Sequence, residues 1–259
     1  MAIALVTGAS AGLGEEFAWQ LATARHDLVV VARSRDRLSE LAEVVSSATG
    51  VSIEVLSADL STEDGRETVA ARLAADVRPV SLLVNNAGHG LGRGFLDTTW
   101  EEERALLDVH VTAPARLAHA ALPGMVARGH GAILNVSSLA AHLSNSTYAA
   151  HKRWVVEFTE ALAGQLRGTG VTATVVLPGL TRTEFHDGDD LRHYKTDFAD
   201  AAWLSAEAVV TSALAAVRRG AVTVTPSVRY ATAGAVVKAL PRSMTRRMGS
   251  MRGGREGVR

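Results

Sequence analysis

A chain of 259 residues, 47% hydrophobic and 21% charged, has an ordinary globular composition and enough length to close one large core, so a single domain is expected. Basic and acidic residues balance at 27 each, and the basic ones stay scattered until the extreme C-terminus, which excludes the charge pattern of a nucleic-acid-binding surface. With no cysteine, disulfides, thiolate metal sites and cysteine nucleophiles are excluded, a reducing cytoplasm fits, and no apolar run approaches the ~20 residues of a bilayer span.

The chain runs into Ile3-Ala4-Leu5-Val6 without a basic leader. From there short β-branched runs alternate with longer amphipathic stretches, the pattern of β-α-β units around a parallel sheet. Strands are predicted at Ile3–Val6, Leu28–Ala32, Ser52–Ser57, Ser81–Val84, Ala132–Val136, Thr172–Leu177 and Val222–Thr225, with helices starting near Gly12, Arg35, Thr62, Trp100, Thr147 and Ser205. Joined by right-handed crossovers, these strands give an α/β fold with a doubly wound seven-stranded parallel sheet, whose ligand crevice lies at the strands' carboxyl ends. No repeat, linker or composition shift occurs before Pro241, so 1–241 is expected to form the domain and 242–259 a basic tail.

The motifs fall at those carboxyl ends. The first strand leads into Thr7-Gly8-Ala9-Ser10-Ala11-Gly12-Leu13-Gly14, where glycines let the backbone turn tightly and free N–H groups of the next helix can receive a pyrophosphate. The Gly-x-x-x-Gly-x-Gly spacing differs from the Gly-x-Gly-x-x-Gly fingerprint, and no Gly-Lys-Ser/Thr follows, which disfavours a nucleotide-hydrolysing phosphate loop. The second strand ends at Arg33, where an acid would suit a free ribose 2′-hydroxyl; a guanidinium suits a 2′-phosphate, or merely solvates the strand end. After the third strand, Asp59-Leu60 offers a carboxylate to an adenine amino group, or a cap to the helix near Thr62. The fourth strand ends in Asn85-Asn86-Ala87-Gly88, which can tie strands through side-chain amides and let a ring lie on the backbone, or form a plain turn. Ser137-Ser138 closes the fifth strand. Tyr148 and Lys152, four apart on a helix, share one face, and an ammonium beside a phenol stabilises phenolate and makes a usable proton donor and acceptor.

Together these stretches resemble the short-chain dehydrogenase/reductase family of Rossmann-like enzymes, from the first strand to at least Thr183. The residues that carry the likeness are Thr7-Gly8-x-x-x-Gly12-x-Gly14, Asn85-Asn86-Ala87-Gly88, Ser138, Tyr148-x-x-x-Lys152 and Pro178-Gly179, in that order. The resemblance implies that Tyr148 exchanges a proton with the substrate oxygen, that Ser138 hydrogen-bonds that oxygen, and that Lys152 holds the nicotinamide ribose. It also implies a dinucleotide site formed by Gly8, Ser10, Ala11, Gly12, Leu13, Gly14, Arg33, Asp59, Leu60, Asn86, Ala87, Gly88, Tyr148, Lys152, Pro178, Gly179, Thr181 and Thr183, with NADP(H) preferred through Arg33. A homodimer or homotetramer built through the helices near Trp100 and Thr147 is implied as well.

Two positions depart from the family pattern. His110 stands where relatives carry an asparagine that holds a water linking the lysine to solvent, and the loop from Ser138 to Tyr148 is a few residues shorter than usual. Imidazole can donate and accept at once, so His110 is expected to serve the relay and to place an inflection between roughly pH 6 and 7.5 in the rate profile. The bland alternative is a packing histidine.

Residues 184–204 mix acids, histidines and aromatics, among them Phe185, His186, Tyr194, Phe198 and Trp203, and read as a lid over an apolar or aromatic substrate. No metal is expected: His186, Asp187, Asp189, Asp190 and His193 read as a solvated acidic loop, and His89, His119, His130 and His142 as surface or loop residues. Tyr230–Leu240 reads as a short amphipathic helix before the arginines, which form a solvated tail or rest on an anionic membrane surface. The expected activity is NADPH-dependent reduction of a ketone or aldehyde, or its reverse. A same-fold epimerase or dehydratase and a dinucleotide-sensing protein are the alternatives; a sensor would usually lose Tyr148 or Lys152, and a methyl transferase would want an acid in place of Arg33.

Overall fold

The computed structural model describes residues 2–143, 145–186 and 199–239. Within them the β-branched runs form β1 (Ile3–Thr7), β2 (Asp27–Ala32), β3 (Ile53–Ser57), β4 (Val80–Asn85), β5 (Gly131–Val136) and β6 (Val171–Val176). Three two-residue strands follow: β7 (Thr181–Arg182), β8 (Leu204–Ser205) and β9 (Thr223–Val224). The main sheet has the order β3-β2-β1-β4-β5-β6-β9, parallel throughout. The seven-stranded doubly wound sheet expected from the alternating pattern is therefore present, and the order reverses beside β1, where such folds open their crevice.

The helices are α1 (Gly12–Thr23), α2 (Arg35–Thr49), α3 (Glu63–Leu73), α4 (Trp100–Leu107), α5 (Ala113–Ala127), α6 (Thr147–Gln165), α7 (Ala206–Arg218) and α8 (Val228–Ala239). Because successive strand residues point to opposite faces, β1 sends Ala4 and Val6 into one layer and Ile3 and Leu5 into the other. The first layer is closed by Phe17 and Leu21 of α1, Leu38 and Val45 of α2, and Val209 and Ala213 of α7. The second is closed by Val69 and Leu73 of α3 and by Leu117, Ala121 and Met125 of α5. Covering both faces is why the central strands read as continuous apolar runs rather than alternating ones.

The helices expected to start at Thr62 and Ser205 begin one residue later, because those hydroxyls accept the N–H of Gly65 and Ala208 and so stand as caps. The cap alternative for Asp59 is thereby corrected: Thr62 fills that role. The helix from Trp100 carries a widened turn over Asp108–Thr112, where Ala113 N–H donates to Asp108 five residues back. Pro114 has no N–H for the carbonyl of His110, so the ordinary ladder cannot run through this point. Short 3-10 turns stand at Glu184–His186 and Asp200–Ala202, and β7 pairs with β8, so both limbs meet at one stem. Tyr194, Phe198, the acids and histidine between 187 and 193, and the tail 242–259 lie outside the described residues.

Candidate active site

The turn after β1 is built by backbone constraint. Gly8 and Gly12 have φ of 67° and 57°, in the left-handed region that side chains disfavour. A Cβ on Gly14 would stand 1.9 Å from the carbonyl oxygen of Gly8, and one on Gly12 would stand 3.0 Å from Thr183. The turn thus keeps a concave backbone face at the start of α1, bounded on its far side by Thr183, and that shape fits a pyrophosphate. Ser10 and Ala11 complete the turn, and Leu13 packs inward on the core.

A run of polar side chains ties this turn to the reacting edge. Thr7 Oγ1 accepts the N–H groups of Asn86 and Ala87 at 2.9 and 3.0 Å and donates to Val84. Asn86 Nδ2 donates back to the carbonyl of Thr7 at 2.9 Å. Asn85 donates to Asn135 at 2.9 Å, and Asn135 to Thr159 of α6 at 2.8 Å. The tandem asparagines therefore act as strand ties, and these hydrogen bonds fix β1, β4, β5 and α6 relative to one another.

On that frame Ser146 caps α6 by accepting the N–H of Ala149 at 3.1 Å, which places Tyr148 in the first turn and Lys152 one turn further in. Lys152 is 5% exposed, and its ammonium donates to the carbonyl of Val136 at 3.0 Å. Nζ lies 5.6 Å from the centre of the Tyr148 ring. Burial pulls the Lys152 ammonium down to about 8, so the cation is held at a cost. Of its three N–H bonds one is used on Val136, leaving donors for a ribose. Ser137 and Ser138 separate in role. The Ser137 hydroxyl is buried and donates to the backbone carbonyl of Lys152 at 2.7 Å, anchoring the helix to β5. Ser138 Oγ accepts the N–H of Ala140 at 3.1 Å, which leaves its own proton to give.

His110 sits in the widened turn with its ring edge-on to Tyr148, 5.3 Å between centres. Its Nε2 accepts the backbone N–H of His89 at 3.2 Å, which puts the proton of the neutral ring on Nδ1. A Cβ on Gly88 would come 2.7 Å from that Nε2 and 3.5 Å from Lys152 Nζ, so only glycine lets this backbone pass between them. Burial, reinforced by the charge of Lys152 and by His89 and His151, holds His110 well below the usual histidine range. This corrects the expected inflection between pH 6 and 7.5: the ring is neutral there. Among the described residues its buried Nδ1 has no hydrogen-bond partner, and neither does Nδ1 of His151, whose ring centre is 6.0 Å away. His89, expected as a plain loop residue, belongs to the site through its backbone.

Just past the carboxyl end of β2, Arg33 is exposed and makes no ion pair among the described residues. Asp59 Oδ1 accepts both the N–H and the hydroxyl of Ser61, at 2.9 and 2.7 Å. Partial burial raises this carboxyl, but the Ser61 bonds and the nearby Arg33 outweigh it and leave it below its usual range. Leu60 is buried beneath. Arg37 pairs with Glu184 at 3.2 Å across the groove. At the other end Leu139 N–H donates to Pro178, and Thr181 Oγ1 donates to the carbonyl of Gly179 at 3.0 Å. Phe185 stands 6.0 Å from Tyr148, ring centre to ring centre. Tyr230 of α8 packs on Gly179; nothing in its sequence neighbourhood announced this, because the contact is between distant segments.

The chain matches the short chain dehydrogenase family model over residues 2–191. It is 36% identical over 188 residues to sulfoacetaldehyde reductase 2 of Chromohalobacter salexigens, 71% of this chain and 74% of that one. A short chain dehydrogenase of Pseudocercospora fijiensis is 34% identical over 196 residues, 72% of this chain and 62% of that longer one. A solved short-chain dehydrogenase from Sphingobium yanoikuyae in complex with NADPH shares the fold at a TM-score of 0.81 and 30% identity, covering 100% of this chain and 98% of that one. With its glycine turn and asparagine ties at the edge of such a sheet, and Tyr148 and Lys152 paired on the helix beside it, the chain belongs to the short-chain dehydrogenase/reductase family of oxidoreductases.

Proposed function

We propose that the protein is an NADPH-dependent carbonyl reductase, acting on a ketone or aldehyde or on the corresponding alcohol in reverse, with Tyr148 as the proton donor. The observation that carries this reading is the buried Lys152 cation, tied to Val136 and set 5.6 Å from the Tyr148 ring. A nicotinamide, when bound, supplies the hydride that a carbonyl carbon takes up. The chain's part is the proton and the geometry. Tyr148 gives its phenolic proton to the carbonyl oxygen, and Ser138, with its hydroxyl proton unspent, orients that oxygen. Lys152 stabilises the phenolate left behind and has N–H donors for the ribose. His110, held neutral, gives its Nδ1–H to a water near Lys152 rather than titrating itself.

The turn of Gly8–Gly14 would receive the pyrophosphate and Arg33 the 2′-phosphate, with Asp59 beside the adenine and Asn86, Ala87, Gly88, Pro178, Gly179, Thr181 and Thr183 lining the cleft between. Phe185, beside Tyr148 and partly exposed, favours a substrate with an apolar or aromatic face. The NADP(H)-bound relative of known structure supports the cofactor choice. The test is NADPH binding followed by NADPH oxidation across a broad panel of carbonyl compounds. Turnover with some members is expected, and a protein that binds NADPH yet reduces none of them would contradict the reading.

A further inference from the structure

α8 reaches back over the reacting edge. The hydroxyl of Tyr230 accepts the N–H of Leu180, 50 residues away, at 3.3 Å, and donates to the carbonyl of Ala202 at 2.6 Å. Its ring fills the space in front of Gly179, where an added Cβ would stand 2.4 Å from two ring carbons. One turn further along α8, a Cβ on Gly234 would meet Leu139 at 3.2 Å and His142 at 3.5 Å. The helix therefore rests on both loops that flank Tyr148, the one after β5 and the one after β6.

The two groups that Tyr230 joins belong to opposite limbs of one stem. Leu180 lies on the limb that leaves β6 and runs through Thr181 to Thr183, which abuts Gly12. Ala202 lies on the returning limb, where Leu204 N–H donates to Leu180 and β8 pairs with β7. A hydroxyl that accepts one bond and donates another has spent its single proton, so Tyr230 has none to give to chemistry. What it can do is hold position. Any side chain at residue 179 would expel its ring, so glycine there is required by packing as well as by close approach.

We infer that Tyr230 is a positioning residue for the nicotinamide end of the cleft: by clamping the two limbs it fixes residues 179–183 in the place from which they meet the cofactor. This rests on the dinucleotide reading proposed above. Tyr230→Phe keeps the ring over Gly179 and removes both hydrogen bonds, so the fold is expected to survive, as a thermal melt would register.

In a fluorescence titration the variant's NADPH affinity is expected to fall roughly 3- to 10-fold, the worth of neutral hydrogen bonds. Adenosine 2′,5′-bisphosphate carries the adenosine and the 2′-phosphate without the nicotinamide, and it should bind the variant and the unmodified protein equally. Gly179→Ala, which displaces the ring, should reproduce the same split. Equal loss for both ligands would make Tyr230 a general structural support, and unchanged NADPH affinity would remove its role; either result overturns the inference. An unmodified protein that binds neither ligand would overturn the dinucleotide reading first, and the role of Tyr230 with it.

Discussion

Replacing Lys152 with methionine should make the protein more stable below pH 8 while ending its turnover. Lys152 is buried, and its ammonium titrates at about 8 instead of 10.5. Lowering an amine by that much corresponds to about 3 kcal/mol borne by the cation in the folded state. Methionine fills nearly the same volume without the charge, but it leaves the carbonyl of Val136 without its donor, a loss of about 1–2 kcal/mol. The net gain is about 1–2 kcal/mol near pH 6.5, or roughly 2–8 °C in Tm for a chain of this size.

The pH dependence follows from the direction of the shift. A lysine whose folded value lies below its unfolded one costs most where both states are protonated, below about pH 8, and the cost fades as pH rises from 8 towards 10.5. The advantage of Lys152→Met should therefore shrink over that window and reverse above it. Urea melts of both proteins at pH 6.5 and pH 10 would measure this. A variant less stable at pH 6.5, or an advantage independent of pH, would refute the claim that Lys152 is a destabilising cation kept for function.

Arg33→Ala should reduce the preference for NADPH over NADH by ~1–3 kcal/mol, the worth of hydrogen bonds to a charged group, as read by the two dissociation constants; equal affinities in the unmodified protein would refute it. His110→Asn should keep most activity and His110→Leu should lose ~10-fold or more, with no inflection assignable to His110 between pH 6 and 7.5 in any of the profiles. A leucine variant with full activity would make His110 a packing residue. Asn135→Ala strands the buried donor of Asn85 and takes from Thr159 the N–H its hydroxyl accepts, while that hydroxyl still donates to Val155, so its Tm should fall by about 5–10 °C; a melt within a degree of the original would show that the amide ties are dispensable.

The sheet was legible because covered strands leave an unmistakable apolar rhythm, and the glycine turn, the asparagine pair and the Tyr148–Lys152 spacing are each short enough to read locally. What escaped were consequences of folding at a distance. That His110 is neutral depends on its burial against Lys152 and on the N–H of His89, neither of which a reference pKa can convey. The separate duties of Ser137 and Ser138 depend on which one faces α6. Tyr230 has no local pattern at all, since its partners lie on loops 28 and 50 residues earlier. The widened turn at Asp108–Thr112 could have been suspected from Pro114, whose missing N–H breaks the ladder.

The proposal that Tyr148 supplies the proton meets its most direct test in a single-turnover measurement of NADPH absorbance, using the best carbonyl substrate from the panel, on the unmodified protein and on Tyr148→Phe. The phenol acts on the substrate oxygen and not on the dinucleotide, so the phenylalanine variant should bind NADPH within about twofold of the original while the rate falls by ~10²–10⁴-fold. A variant that kept more than a few per cent of the single-turnover rate would mean that the proton comes from another group, and would contradict the account.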